Sequence, residues 1–208
     1  MSAPTVGDGI KVVSAPFGGI RVETPRGNIA INGGGTPDEM DGFYLAGSRS
    51  PEAIVLTAEH IHRSRGVEAF AEKHGIPLVG SLLALAHLRI RSPERWEVLP
   101  PREIAISGIE LDIFPVRYDS LDPFALTVSA NGEKAGVVPD GRLSEKWPEV
   151  LAKLRSCQKL FFANKLDCPP EAPRALYLRC RGNCNTSGEL AELFRDYRGE
   201  LVIDPNCH

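Results

Sequence analysis

Two histidines two residues apart, His60 and His62, stand in the run "TAEHIHRSRG", residues 57–66. The apolar run "IVL" precedes it and the amphipathic run "VEAFAEKHG" follows. A strand ending in a loop that carries imidazoles is a natural place to hold a metal ion, because neutral imidazole offers a lone pair. A hydrolytic zinc centre needs about three protein ligands and one open position for water. Arg63 and Arg65, however, follow the histidines directly. A guanidinium has no lone pair for a cation, but its planar fork suits carboxylate and phosphate. The stretch therefore raises two chemistries, metal-assisted hydrolysis and anion binding.

The bulk of the chain narrows these. Its 208 residues are enough for a sizeable core, and 42% apolar with 25% charged residues is ordinary for a globular protein. A net charge of −3 gives no global field that would draw it onto nucleic acid. The N-terminal "MSAPTVGDGIKVV" has no apolar run of signal-peptide length, and no segment reaches membrane-spanning length. The expectation is a cytoplasmic protein with no membrane partner. Five cysteines, Cys157, Cys168, Cys180, Cys184 and Cys207, form no tight pair of zinc knuckles, and their odd number argues against a disulfide framework. They read as inert thiols.

The elements that would position these residues follow from periodicity. "IKVVSA", "GIRVET" and "GNIAING" read as antiparallel strands, with a tight turn at "TPRGN". Residues 34–50 are Gly-rich and polar and read as a loop. "EAIVLTA" is a buried strand. In "SRGVEAFAEKHG", Val67, Phe70 and Ala71 share a helical face, and Gly75 ends the helix. "IPLVGS" is a strand and "LLALAHLRI" a helix. After Pro100 and Pro101 a second strand-rich half begins: "EIAIS", "IELDIFPV", "FALTVSA" and "KAGVVPD", with a hairpin turn at "ANGEK". "LSEKWPEVLAKLRS" is a helix opened by Ser144, and "SGELAELFRDY" another. "KLFFANKL", "ALYLRC" and "ELVIDP" are strands. Two β-rich halves with helices attached predict two packed sheets covered by helices, in one domain spanning residues 1–208.

This order of elements resembles the metallo-β-lactamase superfamily, and most closely its WalJ/YycJ-type branch of metal-dependent exonucleases and phosphodiesterases. The likeness covers nearly the whole chain. "KVVSAPFGGIRVETPRGNIAINGG" resembles the branch's opening hairpins, and "VLTAEHIHRSRGVEAFAEKHGIPLVGS" its signature strand, loop, helix and strand. "FPVRYDSLDP", "GVVPDGRLSEK" and "LYLRCRGNCNT" resemble the later segments that carry ligands. The resemblance implies an α/β fold, a four-layer αββα sandwich with its metal site along one sheet edge.

The family's signature is T-H-x-H-x-D-H-x-x-G, and Thr57 and Gly66 set the register. Its four ligand positions then fall on Ala58, His60, His62 and Arg63. Sliding by two would put Ser64 and Arg65 at the Asp and His positions and Glu68 at the Gly. The first register is preferred. The third histidine falls on Tyr118, just before Asp119; the bridging aspartate is Asp140; the last histidine falls at or near Arg179. An early aspartate is replaced by Asn32. One metal would thus face Ala58, His60 and Tyr118, and the other His62, Arg63 and Arg179, with Asp140 bridging. Neither set reaches three good ligands, so no cofactor and no dinuclear hydrolase activity are expected.

Asp140 would then need another cation, and Arg63 or Arg179 is expected to pair with it. Arg63, Arg117 and Arg179 are also the candidates for binding an anion, with Arg65, Arg142 and Arg181 in the same segments. Asp119, Asp122, Asp140 and Asp167 partly cancel their charge, so a phosphate-bearing ligand or a protein partner is a stronger expectation than nucleic acid. His74 and His87 read as surface or core residues, and Trp96 and Trp147 as packing anchors. "NGGG" at 32–35 reads as a loop of unusual φ/ψ rather than a phosphate cradle. Three readings remain. The first is a non-catalytic scaffold or anion-binding module. The second is a hydrolase with a reduced zinc or manganese site on His60, His62 and Asp140, helped by Glu59, Asp119 or a C-terminal cysteine. The third is a regulatory or nucleic-acid-associated descendant of the branch.

Overall fold

The structure is a computed structural model. It describes residues 9–46, 49–92, 94–162 and 184–204, without the side chains of residues 61 and 62. Strands β1 (Lys11–Ser14), β2 (Ile20–Thr24), β3 (Gly27–Ile31), β4 (Ala53–Leu56), β5 (Leu78–Ser81) and β6 (Arg95–Val98) form one sheet in that order. Strands β7 (Arg102–Ile106), β8 (Ile109–Pro115), β9 (Phe124–Ala130), β10 (Glu133–Val138), β11 (Lys159–Phe162) and β12 (Glu200–Ile203) form the other, in the order β12 to β7. In each sheet the pairing begins antiparallel and turns parallel, from β3 onward in the first and from β10 onward in the second.

Period-two alternation builds the layers. On β3 and β4, Ile29, Ile31, Ala53 and Val55 face the second sheet. They meet Ile109, Leu111, Ile113, Leu126, Val128 and Val137 from β8 to β10. The intervening Ala30, Ile54 and Leu56 point the other way, into α1 (Pro37–Tyr44), α3 (Val67–His74) and α4 (Leu82–His87). On the far side Phe114, Ala125, Val138, Leu160 and Phe162 meet α5 (Pro148–Arg155) and α6 (Ser187–Leu193). The result is the expected αββα sandwich. Strands buried on both faces explain why "AIVL" and "LVGS" lack polar alternation.

Several local expectations need correction. Residues 34–50 are not all loop, because α1 forms there. Thr36 accepts from the Glu39 backbone N–H, the Glu39 carboxylate accepts from the Thr36 backbone N–H, and Pro37 occupies the first turn. Ser144 does not open α5, which starts at Pro148 after Trp147. Instead the Ser144 carbonyl accepts from the Trp147 backbone N–H and closes a turn. Strand β6 was not anticipated, and its Trp96 is no packing anchor but stands 42% exposed. The hairpin turn at Asn131–Gly132 forms as expected, with φ of 51° and 83°. The "ALYLRC" strand and the second half of "KLFFANKL" lie outside the described residues. Among the described residues no helix is long and apolar enough to cross a membrane.

Candidate functional site

The end of β4 and the end of β10 lie across the sandwich from each other, and two loops bring their residues together. After Leu56, Thr57–His60 turns into the single-turn helix α2 (Ile61–Ser64). Asn32, at the end of the neighbouring β3, holds the start of this loop. Its Oδ1 accepts from the Thr57 backbone N–H at 2.9 Å, and its Nδ2 donates to Thr57 Oγ1 at 2.9 Å. Asn32 adopts φ 58°, a left-handed conformation that asparagine tolerates. The Gly33 carbonyl accepts from the Gly66 backbone N–H at 3.0 Å. A Cβ at Gly66 would lie 2.3 Å from the Gly35 carbonyl oxygen and 2.4 Å from Met40 Sδ, so only glycine fits the joint between α2 and α3.

Arg63 projects from α2 into the interior. It is 2% exposed, among the largest fully buried side chains in the described residues. Nη2 donates to Asp140 Oδ1 at 2.9 Å and Nη1 donates to the Gly18 carbonyl at 3.2 Å. Gly18, in the turn between β1 and β2, makes room for it. At its φ of 75° a Cβ would fall 2.7 Å from Arg63 Nη1. Gly18 was missed as a site residue; the signal was the Gly18–Gly19 pair in that turn, where glycine serves both the left-handed φ and a close approach.

Asp140 follows β10 and is 6% exposed. Burial acts on it most strongly and leaves its carboxyl above the usual aspartate range. The Arg63 charge and hydrogen bond, the nearby His60 and a hydrogen bond from Tyr118 all pull it back down. His60 and Tyr118 pack edge to face with ring centroids 5.3 Å apart. Arg63, Asp140, His60 and Tyr118 therefore form one cluster. Ala58 is buried and presents only a methyl group at a position where the resemblance puts a ligand.

The rim is held by Glu59. Its carboxylate accepts from the Leu121 backbone N–H at 2.9 Å and from the Ser120 hydroxyl. Burial raises the Glu59 pKa, but these hydrogen bonds, one to its own backbone and the nearby His60 together outweigh it and leave the carboxyl below its ordinary value. Glu59 is thus occupied in joining the 57–60 and 118–123 loops. Asp119 is exposed, and so are Arg65 and Arg117. The Arg117 carbonyl accepts from the Arg142 backbone N–H at 2.7 Å, while Arg142 Nη2 pairs with Glu189 Oε1 at 2.7 Å. His74 pairs with Asp41 at 2.7 Å, away from the cluster, and His87 is exposed. Cys157 and Cys184 are buried, and burial lifts the Cys157 pKa to about 11. Arg179, Arg181, Asp167, Cys168, Cys180, Cys207 and the His62 side chain lie outside the described residues.

Among the described residues, these donors do not by themselves make up a two-metal hydrolytic centre. Among the described residues no three of His, Cys, Asp and Glu come together as a ligand group. The position next to Asp140 is filled by a guanidinium, which repels cations and offers them nothing. Arg63 is already bonded to Asp140 and to Gly18 and is shielded from solvent, whereas Arg65 and Arg117 are exposed.

No family model matches this chain, and no curated protein matches it. Solved structures do. The metallo-beta-lactamase fold protein YhfI from Bacillus subtilis is 9% identical, with a TM-score of 0.69 over 90% of this chain and 78% of that one. A diphosphatase of the PhnP family is 18% identical, with a TM-score of 0.63 over 99% of this chain and 82% of that one. Zinc-bound PqqB from Methylobacterium extorquens is 16% identical, with a TM-score of 0.62 over 91% and 77%. At such identities the likeness concerns the fold, and this chain has the metallo-β-lactamase fold.

Proposed function

We propose that this chain is a non-catalytic protein of the metallo-β-lactamase fold, a scaffold or anion-binding module derived from the WalJ/YycJ-type branch. The observation that carries this reading is the buried ion pair between Arg63 and Asp140, side chains 2% and 6% exposed. In the preferred register Arg63 stands at a ligand position, so the pair puts a fixed cation where the fold otherwise uses a mobile one. In metal-bearing relatives the ion activates water as the nucleophile. A guanidinium cannot do this, because it has no open coordination position and does not lower the pKa of a bound water to neutrality. The exposed Arg117 on the rim supports binding of a phosphate-bearing ligand, in a cleft whose acidic residues disfavour nucleic acid.

A second reading is favoured by the convergence of His60 and Tyr118 on Asp140. With His62 added, these residues would form a reduced zinc or manganese site for phosphodiester hydrolysis. One experiment separates the two. Metal is quantified on protein purified without chelator, and phosphodiester hydrolysis is then assayed with added zinc or manganese. The proposal expects sub-stoichiometric metal and no turnover. Stoichiometric metal that disappears in His60→Ala or Asp140→Ala would establish the second reading instead. For the anion, inorganic phosphate binding is measured by calorimetry against salt. Binding that weakens with salt and is lost in Arg117→Ala supports the module; salt-independent behaviour overturns it.

A further inference from the structure

Among the described residues strand β6 ends the first sheet, and its Arg95, Trp96 and Glu97 are exposed. Four of the seven large apolar side chains exposed among the described residues belong to β6, the residue after it, and the start of α4. Trp96 is 42% exposed and Leu99, just past the strand, 72%. Leu82 and Leu83 are 50% and 47% exposed at the start of α4, one residue beyond Ser81, whose register partner on β6 is Val98. Edge strands are commonly blunted by short length, charge or proline; "RWEV" is short and carries one charge of each sign but no proline.

The direction of the free backbone groups follows from the inner ladder. The Leu78 N–H donates to the Glu94 carbonyl, so Glu94, and by alternation Trp96 and Val98, turn their backbone groups toward β5. The backbone N–H and C=O of Arg95 and Glu97 therefore point outward. Their side chains share a face: Arg95 Nε lies 3.4 Å from Glu97 Oε1, and Arg95 Nη1 donates to the Ile90 carbonyl. Trp96 is on the opposite face, with Val98, toward the space between the sheets.

This strand is complementary to itself. If a second copy is laid antiparallel with a two-fold axis at Trp96, Arg95 stands opposite Glu97 of the other copy at both ends. Those are the residues whose outward backbone groups would form the closely bonded pairs, and the two Trp96 side chains would meet at the narrower, unbonded pair. A two-fold contact requires every residue to find its own partner in the same patch, and opposite charges flanking an aromatic centre meet that condition.

We infer that β6 is a homodimerisation edge, where two copies pair Arg95–Glu97 about Trp96 into one sheet running through both protomers, with Leu82, Leu83 and Leu99 closing the rim. The occupant is a second copy of this chain. The same strand reversed matches the alternation of charge along it.

The test is sedimentation equilibrium of the full chain over a concentration series, with circular dichroism to check folding. Wild type is expected to dimerise reversibly. Arg95→Glu sets like charges against each other at both ends and should raise the dissociation constant by about tenfold or more. The double variant Arg95→Glu/Glu97→Arg restores opposite charges in the same register and should return the constant to near the wild-type value. Trp96→Lys, a side chain already partly in solvent, should yield monomer with unchanged dichroism. A wild-type monomer at every concentration, a dimer indifferent to Trp96→Lys, or a double variant no better than the single would each overturn the inference. So would capture of a different macromolecule on this edge by a monomeric chain.

Discussion

Arg63 Nη2 donates to Asp140 Oδ1 at 2.9 Å across 77 residues of sequence, with both side chains almost fully buried. A buried pair contributes little net stability compared with apolar residues of the same shape, but removing one member strands the other charge. Arg63→Met and Asp140→Leu should each lower the unfolding free energy by about 3–5 kcal/mol. The double variant should lose less than the sum of the singles by about 2 kcal/mol. Denaturant melts of all four proteins check this, and additive losses would show that the two charges do not depend on each other.

If arginine displaced the metal chemistry, reintroducing imidazole should bring metal binding back. The variant Ala58→His/Arg63→His/Tyr118→His adds three neutral nitrogen donors around His60 and Asp140 and removes the buried guanidinium. Purified with zinc and dialysed, it should retain at least about one ion per chain by atomic emission, against none in wild type. A folded variant that takes up no zinc would refute the placement of these positions around one centre.

Acid should loosen the link that Glu59 makes between the two rim loops. Glu59 has its pKa depressed by the Ser120 and Leu121 hydrogen bonds in the folded state. For a carboxylate of this kind the stabilisation is fully present above the unfolded-state pKa and is lost as pH falls through the folded one. Wild type and Glu59→Gln should therefore differ most above the ordinary glutamate range and converge below it. Hydrogen exchange of the Leu121 amide, followed against pH, reports the same event. A difference that grows on acidification would reverse the sign and reject the assignment.

Gly66 is needed for space rather than for conformation, since its φ is −99°. Gly66→Ala would press a methyl group onto the Gly35 carbonyl and Met40 Sδ. Overpacking of this kind costs about 1–3 kcal/mol, and Gly75→Ala, with open space around its Cβ but φ of 61°, serves as a control for pure backbone strain. Thermal melts should show the larger loss at Gly66.

Much of the architecture was legible because it depends on local pattern. The alternation in "FALTVSA", the Asn131–Gly132 turn and the Val67–Phe70–Ala71 stripe each define an element within a few residues. The misses are also local in origin. The Thr36–Glu39 capping box lay inside a stretch whose glycines suggested loop, and the four residues of β6 alternate too briefly, with too many charges, to stand out.

The candidate site divides along the same line. Sequence by itself determined which side chains were available: histidines at 60 and 62, an alanine and an arginine at positions flanking them, and a retained Asp140. It left open whether Arg63 or Arg179 answers that carboxylate, and whether any arginine faces solvent. Only the tertiary structure decided that Arg63 turns inward onto Asp140 and the Gly18 carbonyl, while Arg117 remains outside. The reason is that a long, flexible side chain carries no periodic signal about where its end goes. That depends on a glycine 45 residues away leaving space and on a carboxylate from the opposite sheet being buried within reach.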